Sequence, residues 1–274
     1  MGGLGLKVKL ICIGNELLMD DGVGPAAARY LLSRYRFPDN VEVLDRACMG
    51  MAIISDLRDC DFALVLDAVD VPGAVPGQVF SFEPTDVAPT PAGMTSLHDV
   101  RFADVLGSAE MLGISCKGHC FGIQAENMSP SEFVRALTPK VAAALPLLAR
   151  NAVCYLHDEL GIQTVDLLAT GEAQPVVPAV FGEPDASVMT GYLARRLEEA
   201  GFAPEPVCGR DDAMRIAVRM DRSTEGASTF ADGFTGIEVL PVEGGCPACT
   251  IVVSSKATDI DCDAFVERAC AACK

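Results

Sequence analysis

The residues of this chain best suited to chemistry are two aspartates and a histidine, all standing at turns. Asp21 lies in Gly14-Asn15-Glu16-Leu17-Leu18-Met19-Asp20-Asp21-Gly22-Val23-Gly24, between an apolar β-prone run at 7–13 and an Ala-rich helical pattern that starts at Pro25. Asp67 ends the run ALVLD, and His98 follows a Pro/Gly/Thr-rich loop, 89–97, just ahead of a helical pattern. Two carboxylates and an imidazole with coordination positions left open would form a hard-to-borderline cation site, suited to zinc, nickel, cobalt or iron. Taken singly, each residue has a plainer reading. An aspartate after a strand caps a helix or closes a turn, and a histidine before a helix sits on the surface. Two adjacent aspartates cannot point the same way, so one is expected to face a site and the other to cap the helix.

These side chains need a frame that brings distant loops together. The first 160 residues alternate strand and helix patterns. Strands are expected at 8–13, 41–44, 62–66, 78–82 and 119–123, and helices at 25–35, 51–57, 100–112 and 131–150. The strands starting at 8, 62 and 119 are continuous apolar runs, as expected where helices cover both faces of a sheet. The run at 41 alternates and suits an edge. Ser129-Pro130-Ser131-Glu132 reads as a helix start. The pattern predicts a doubly wound, mostly parallel sheet flanked by helices, whose ligand-binding edge lies at the C-terminal ends of the strands.

The net charge of −17 is shared almost evenly: 12 basic against 20 acidic residues in 1–160, and 9 against 18 beyond. No basic patch stands out, so neither nucleic acid nor an anionic membrane is expected as a partner. The N-terminus lacks a signal pattern and no apolar run reaches the length of a membrane span, so the expected location is cytoplasmic. In that compartment the twelve cysteines are thiols or metal ligands rather than a disulfide framework. Cys12 and Cys60 sit within or beside apolar strand patterns, as core residues do.

The stretch from Gly14 to Gly24, the strand-terminal Asp67-Ala68, the Ser96-Leu97-His98 loop and Phe121-Gly122-Ile123-Gln124 together resemble the nickel–iron hydrogenase maturation endopeptidases over about residues 7–155. The resemblance implies that Asp21, Asp67 and His98 are the metal ligands and the catalytic set. It implies a cytoplasmic endopeptidase that removes the C-terminal extension of a hydrogenase large-subunit precursor once nickel has been inserted. The nickel is that of the precursor, and its vacant positions are what the three side chains would fill. Two departures from the family pattern stand out. Cys12 replaces a glycine. Asp45-Arg46-Ala47-Cys48-Met49-Gly50 replaces Asp-Gly-Gly-Thr-x-Gly in a loop expected to touch the substrate tail.

Other chemistries fit these residues less well. Neither a Gly-x-Ser-x-Gly elbow nor a His-Glu-x-x-His helix is present. Cys116-Lys117-Gly118-His119-Cys120 is the nearest thing to a Cys–His pair, and it reads better as the opening of a buried strand. Glu16, Asp20, Asp70 and Asp99 either tune the site or are solvated loop acids. A nickel-state sensor or maturation chaperone using the same ligands is the alternative function, and a metal-dependent amide or ester hydrolase is another. Dinucleotide binding is disfavoured, because the first turn lacks Gly-x-Gly-x-x-Gly and Asp20-Asp21 would repel a pyrophosphate.

Beyond a break expected near 157–176, residues 175–274 read as a smaller cysteine-rich α+β domain, ferredoxin-like in outline. Strands are expected at 176–181, 215–220, 236–242 and 250–254, and helices at 186–200 and 262–273. Cys246-x-x-Cys249 and Cys270-x-x-Cys273 have the spacing of a four-thiolate zinc or iron site.

Overall fold

A computed structural model describes residues 5–48, 50–86, 102–174, 187–210, 213–219, 233–241, 248–254 and 256–272. The chain divides into two compact units, 1–167 and 168–274.

The first unit is built on strands β1 (Val8–Ile13), β3 (Val41–Ala47), β4 (Phe62–Val69) and β6 (Lys117–Gln124), with β5 (Val79–Phe82) on one edge. Their order is β3-β1-β4-β6-β5, the first four parallel and β5 antiparallel. Helices α1 (Val23–Arg34), α2 (Ile54–Leu57), α3 (Phe102–Met111) and α4 (Pro139–Asp158) complete the layers. Leu10, Ile11, Leu64 and Leu66 on the two central strands are fully buried. That is the burial expected of parallel strands covered on both faces. The alternating run at 41 is indeed an edge strand, half of it exposed.

Two glycines set how closely β1 meets the start of α1. Gly14 has φ +144°, and a Cβ there would lie 1.9 Å from the Asp21 carbonyl oxygen. A Cβ on Gly24 would lie 1.9 Å from the Ile13 carbonyl oxygen. The first turn of α1 is thus pressed against the end of β1, which only glycine permits.

The fourth helix starts eight residues later than the sequence suggests. Thr138 precedes Pro139, a residue pre-set for a helical first turn. The stretch before it spends its backbone N–H groups elsewhere. Asp20, fully buried, accepts hydrogen bonds from Glu126 N (2.9 Å), Asn127 N (2.9 Å), Thr138 N (2.7 Å) and Thr138 Oγ1 (3.0 Å). Val134 N donates to Leu17 O and Met19 N to Val134 O. A polar segment held by these bonds forms a bracket rather than a helical turn. Asp20 is therefore neither a solvated acid nor a helix cap; no side-chain cap bond is made at the start of α1.

The unit ends at 167, inside the break expected near 157–176. Strand β2 (Tyr35–Arg36) pairs with β7 (Val165–Asp166). The buried Arg34 guanidinium grips Asp166 at both oxygens, Nε to Oδ1 2.8 Å and Nη2 to Oδ2 3.0 Å.

In the second unit, α5 (Ser187–Glu199) and α6 (Asp259–Ala272) accompany β8 (Ala203–Arg210), β9 (Ala213–Arg219), β10 (Ile237–Pro241) and β11 (Ala248–Ser254). The sheet is antiparallel in the order β10-β11-β9-β8. Among the described residues both helices lie outside the run of four strands in sequence. This differs from the ferredoxin-like outline, in which helices cross over between strands. β8 was not expected, because its prolines, Pro204 and Pro206, read as a loop; as an edge strand it tolerates them. The expected strand at 176–181 lies outside the described residues.

The bracket yields a stability prediction. Asp20→Ala leaves four donors facing a cavity and should cost about 3–5 kcal/mol, read as a fall in the denaturation midpoint.

Candidate active site

The C-terminal edge of the first sheet gathers three loops. The loop after β1 is wound tightly. Leu17 N donates to Asn15 Oδ1 at 3.0 Å and Leu18 N to Asn15 O at 3.0 Å. Asn15 N donates to Asp21 O at 2.9 Å and lies 3.1 Å from Asp21 Oδ2. Asp20 and Asp21 share one 3-10 turn, Met19–Gly22, in which successive side chains point about 120° apart, so with Asp20 buried in its bracket Asp21 takes another direction and is half-buried. Glu16 pairs with Arg29 (3.3 Å) and Arg135 on the outer side of the same loop.

Asp67 comes from the adjacent strand. It stands near the end of β4, in register with Gly122 of β6, and its Oδ1 accepts a 2.8 Å bond from Ala68 N. A Cβ on Gly122 would lie 2.5 Å from Val69 Cγ1, so the strand ends pack closely here. Burial, opposed by the Ala68 N–H and aided by a smaller push from the Asp21 carboxylate, raises the Asp67 carboxyl to about 8. The structure thus brings Asp21 and Asp67 within electrostatic reach of each other, and Asp67 is held mostly as the acid at neutral pH. A pair of this kind is poised for a cation, whose charge offsets the repulsion and displaces the proton.

His98 and Asp99 lie outside the described residues. Among the described residues no three His, Cys, Asp or Glu side chains are grouped to hold a metal ion. Two carboxylates are in place, and the rest of any coordination sphere must come from outside this pair.

The third loop carries a group that sequence reasoning passed over. Cys48 follows β3, and its Sγ lies 3.8 Å from Gly14 O. Burial, then Asp21, then Asp67 push its thiol up from the ordinary range, so it shares the field of both acids. The register would have located it: β3 pairs with β1 through a bulge, Cys12 against Asp45 and Ile13 against Ala47. That places Cys48 at the same sheet edge as Gly14. Ala47 holds φ +43°, a left-handed conformation unusual for alanine. Cys12, where the family pattern has glycine, is fully buried core.

The remaining candidates resolve into structure. Asp70 accepts a 3.2 Å bond from Gln124 Nε2. His119 does not pair with a cysteine. Its Nδ1 meets Glu83 Oε1 at 3.0 Å, its Nε2 meets Ser81 Oγ at 2.8 Å, and its ring stacks on Tyr155 with centroids 4.6 Å apart. The order Ser–His–Glu matches that of a hydrolytic triad. Ser81 stands within edge strand β5, however, and not on a strand-to-helix elbow where backbone donors converge on an oxyanion. The group ties β5 to β6. In the second unit, Cys246 and Cys273 lie outside the described residues, Cys249 is in β11, and Cys270 is on α6.

This sheet and its helices have counterparts among known proteins. The hydrogenase maturation protease family (HycI) matches residues 25–154. A hydrogenase expression/formation protein, HupM, from Azotobacter chroococcum mcd 1 is 31% identical over 222 residues, covering 77% of this chain and 100% of the relative. The chain belongs to the hydrogenase maturation protease family. The Hydrogenase 2 maturation protease of Escherichia coli (strain K12) is 27% identical over 161 residues, 58% of this chain and 96% of that protein. The solved hydrogenase maturating endopeptidase HybD from E. coli superposes with a TM-score of 0.51 at 25% identity, covering 59% of this chain and 98% of that one. Membership makes the chain a hydrolase, an endopeptidase of hydrogenase maturation. The match to HupM spans more of the chain than the 167 residues of the first unit, so likeness to relatives extends beyond the region whose motifs the sequence displayed. Among the described residues no helix is long and apolar enough to cross a membrane.

The raised Asp67 carboxyl predicts a pH dependence. An acid whose folded pKa exceeds its unfolded one contributes stability at low pH. That contribution is lost as pH rises from the ordinary aspartate range to about 8. Asp67→Asn should therefore be less stable than the parent, relative to their values at pH 8.5, when both are compared at pH 5. Above pH 8 the variant should melt higher. Parallel Tm-against-pH curves without metal check this, and curves that stay a constant distance apart would contradict it.

Proposed function

We propose that this endopeptidase removes the C-terminal extension of a nickel–iron hydrogenase large-subunit precursor after nickel insertion, and that it reads the precursor's nickel with Asp21, Asp67 and His98. The observation that supports this most is the coupling of Asp21 and Asp67 at the open edge of the sheet. A buried acid that stays protonated until positive charge reaches it discriminates between a partner that brings a divalent cation and one that does not. Metal-free precursor would leave Asp67 protonated and unable to offer an anionic oxygen, so the discrimination rests on what is rejected as much as on what is bound.

In this reading the nickel is substrate cargo. Asp21 and Asp67 present oxygens to it, His98 adds a nitrogen, and Asp67 gives up its proton on docking. The tail lies across the edge, against the loop that carries Cys48. A carboxylate not engaged by the cation orients the attacking water, and the cation polarises the scissile carbonyl.

The test is incubation of the full-length chain with nickel-loaded and metal-free precursor, followed by intact mass. The loaded precursor should be shortened at its C-terminus and the metal-free one left whole. Asp21→Ala, Asp67→Ala and His98→Ala should each slow cleavage by about 100-fold or more while circular dichroism stays native. Near-parental cleavage by one of them would remove that residue from the scheme. A stable, uncut complex with loaded precursor would instead identify a nickel-state sensor.

A further inference from the structure

The opposite edge of the same sheet carries a second reactive pair. Cys60 sits two residues before β4 and Cys116 one residue before β6, and these strands are parallel neighbours with Phe62 beside Lys117. Continuing the register sets Cys116 beside Asp61, one residue along from Cys60; strands about 4.8 Å apart with a rise of about 3.3 Å per residue put the two Cα atoms roughly 6 Å apart, within the roughly 4.4–6.8 Å that a disulfide spans. The two thiols influence each other electrostatically. Each also lies beside a carbonyl, Cys60 Sγ 3.1 Å from Phe62 O and Cys116 Sγ 3.2 Å from Lys117 O. Cys60 belongs to the buried apolar cluster that includes Ile11, Leu57, Ala63 and Ile114, and Cys116 packs against that cluster. Cys60 is buried, whereas Cys116 is half-exposed and opens the pair to small solutes.

We infer that Cys60 and Cys116 form a peroxide-oxidisable dithiol that closes into a disulfide across the starts of β4 and β6. The hydrogen bond from Cys116 pulls Cys60 below the ordinary thiol range, with help from the Lys9 ammonium, and raises Cys116. Cys60 is thus the nucleophile. Its thiolate attacks one peroxide oxygen; the S–O bond forms, the O–O bond breaks, and hydroxide leaves. Cys116 sulfur then attacks the sulfenic sulfur. The S–S bond forms, the S–O bond breaks, and the oxygen departs as water with the Cys116 proton. Two thiols lose two electrons, and peroxide becomes two waters. The two cysteines start neighbouring strands, so closure asks for side-chain rotation rather than a change of fold.

Trypsin isolates each of these cysteines in its own peptide: 59–101 contains only Cys60 and 102–117 only Cys116. Reduced full-length protein is treated with a small excess of hydrogen peroxide, alkylated under denaturing conditions and digested without reductant. The expected product is 59–101 joined to 102–117, lighter by two hydrogens than the free pair, at about one link per chain. It should form before the exposed Cys154 is consumed and should disappear with dithiothreitol. Oxidised protein should melt roughly 5 °C higher, since the link closes a long loop. Recovery of both peptides as alkylated thiols while Cys154 is oxidised would overturn the inference. So would a link from either cysteine to a different partner. Cys60→Ser and Cys116→Ser should each abolish the linked peptide, and the parental experiment stands if either variant fails to fold.

Discussion

The site depends on one buried carboxylate that takes no part in it. Asp20 accepts four hydrogen bonds from the segment leading into α4. An anion without water is tolerable only when such donors replace the water. Because it points inward, its neighbour Asp21 points out, and the two glycines at 14 and 24 let the loop lie against the end of β1. Removing the bracket would release the orientation of Asp21 along with the stability of the loop. The adjacent aspartates thus divide the work: the first positions and the second is presented.

What is presented stands beside a second acid whose burial is costly. Burial is the main reason that Asp67 holds its proton, and Asp21, in the loop after the neighbouring strand, adds a smaller push. The protonated form keeps that burial tolerable. Cys48, held between them by the β3 bulge, adds a polarisable sulfur to the neighbourhood of two hard oxygens. The loop that bears it departs from the family pattern, and Ala47 holds there a backbone angle that glycine would adopt without strain.

Much of the frame was legible because buried parallel strands write themselves as apolar runs: β1 and β4 lie where VKLICI and FALVL stand. That Asp21 and Asp67 share one edge of the sheet was legible because each follows or ends such a strand. The misreadings share a cause. Ser129-Pro130-Ser131-Glu132 has the composition of a helix start, but its surroundings claim its backbone for Leu17, Met19 and Asp20, more than a hundred residues away. Local composition cannot report a partner at that distance. The same holds for Cys60, which reads as plain core until Cys116 is placed beside it. Cys48 was missed because a bulge shifts the register by one, and patterns of alternation do not announce bulges.

The distance between Asp20 and its donors has a bearing on how the molecule comes into being. β1 and its loop are made first, yet Glu126, Asn127 and Thr138, which hold that loop, are made 106 to 118 residues later. Contacts so remote in sequence carry a large loop-closure entropy and form late. A growing chain would have its central strands before its recognition edge, and would acquire that edge only when α4 docks. Unfinished copies would then emerge with that edge still unshaped.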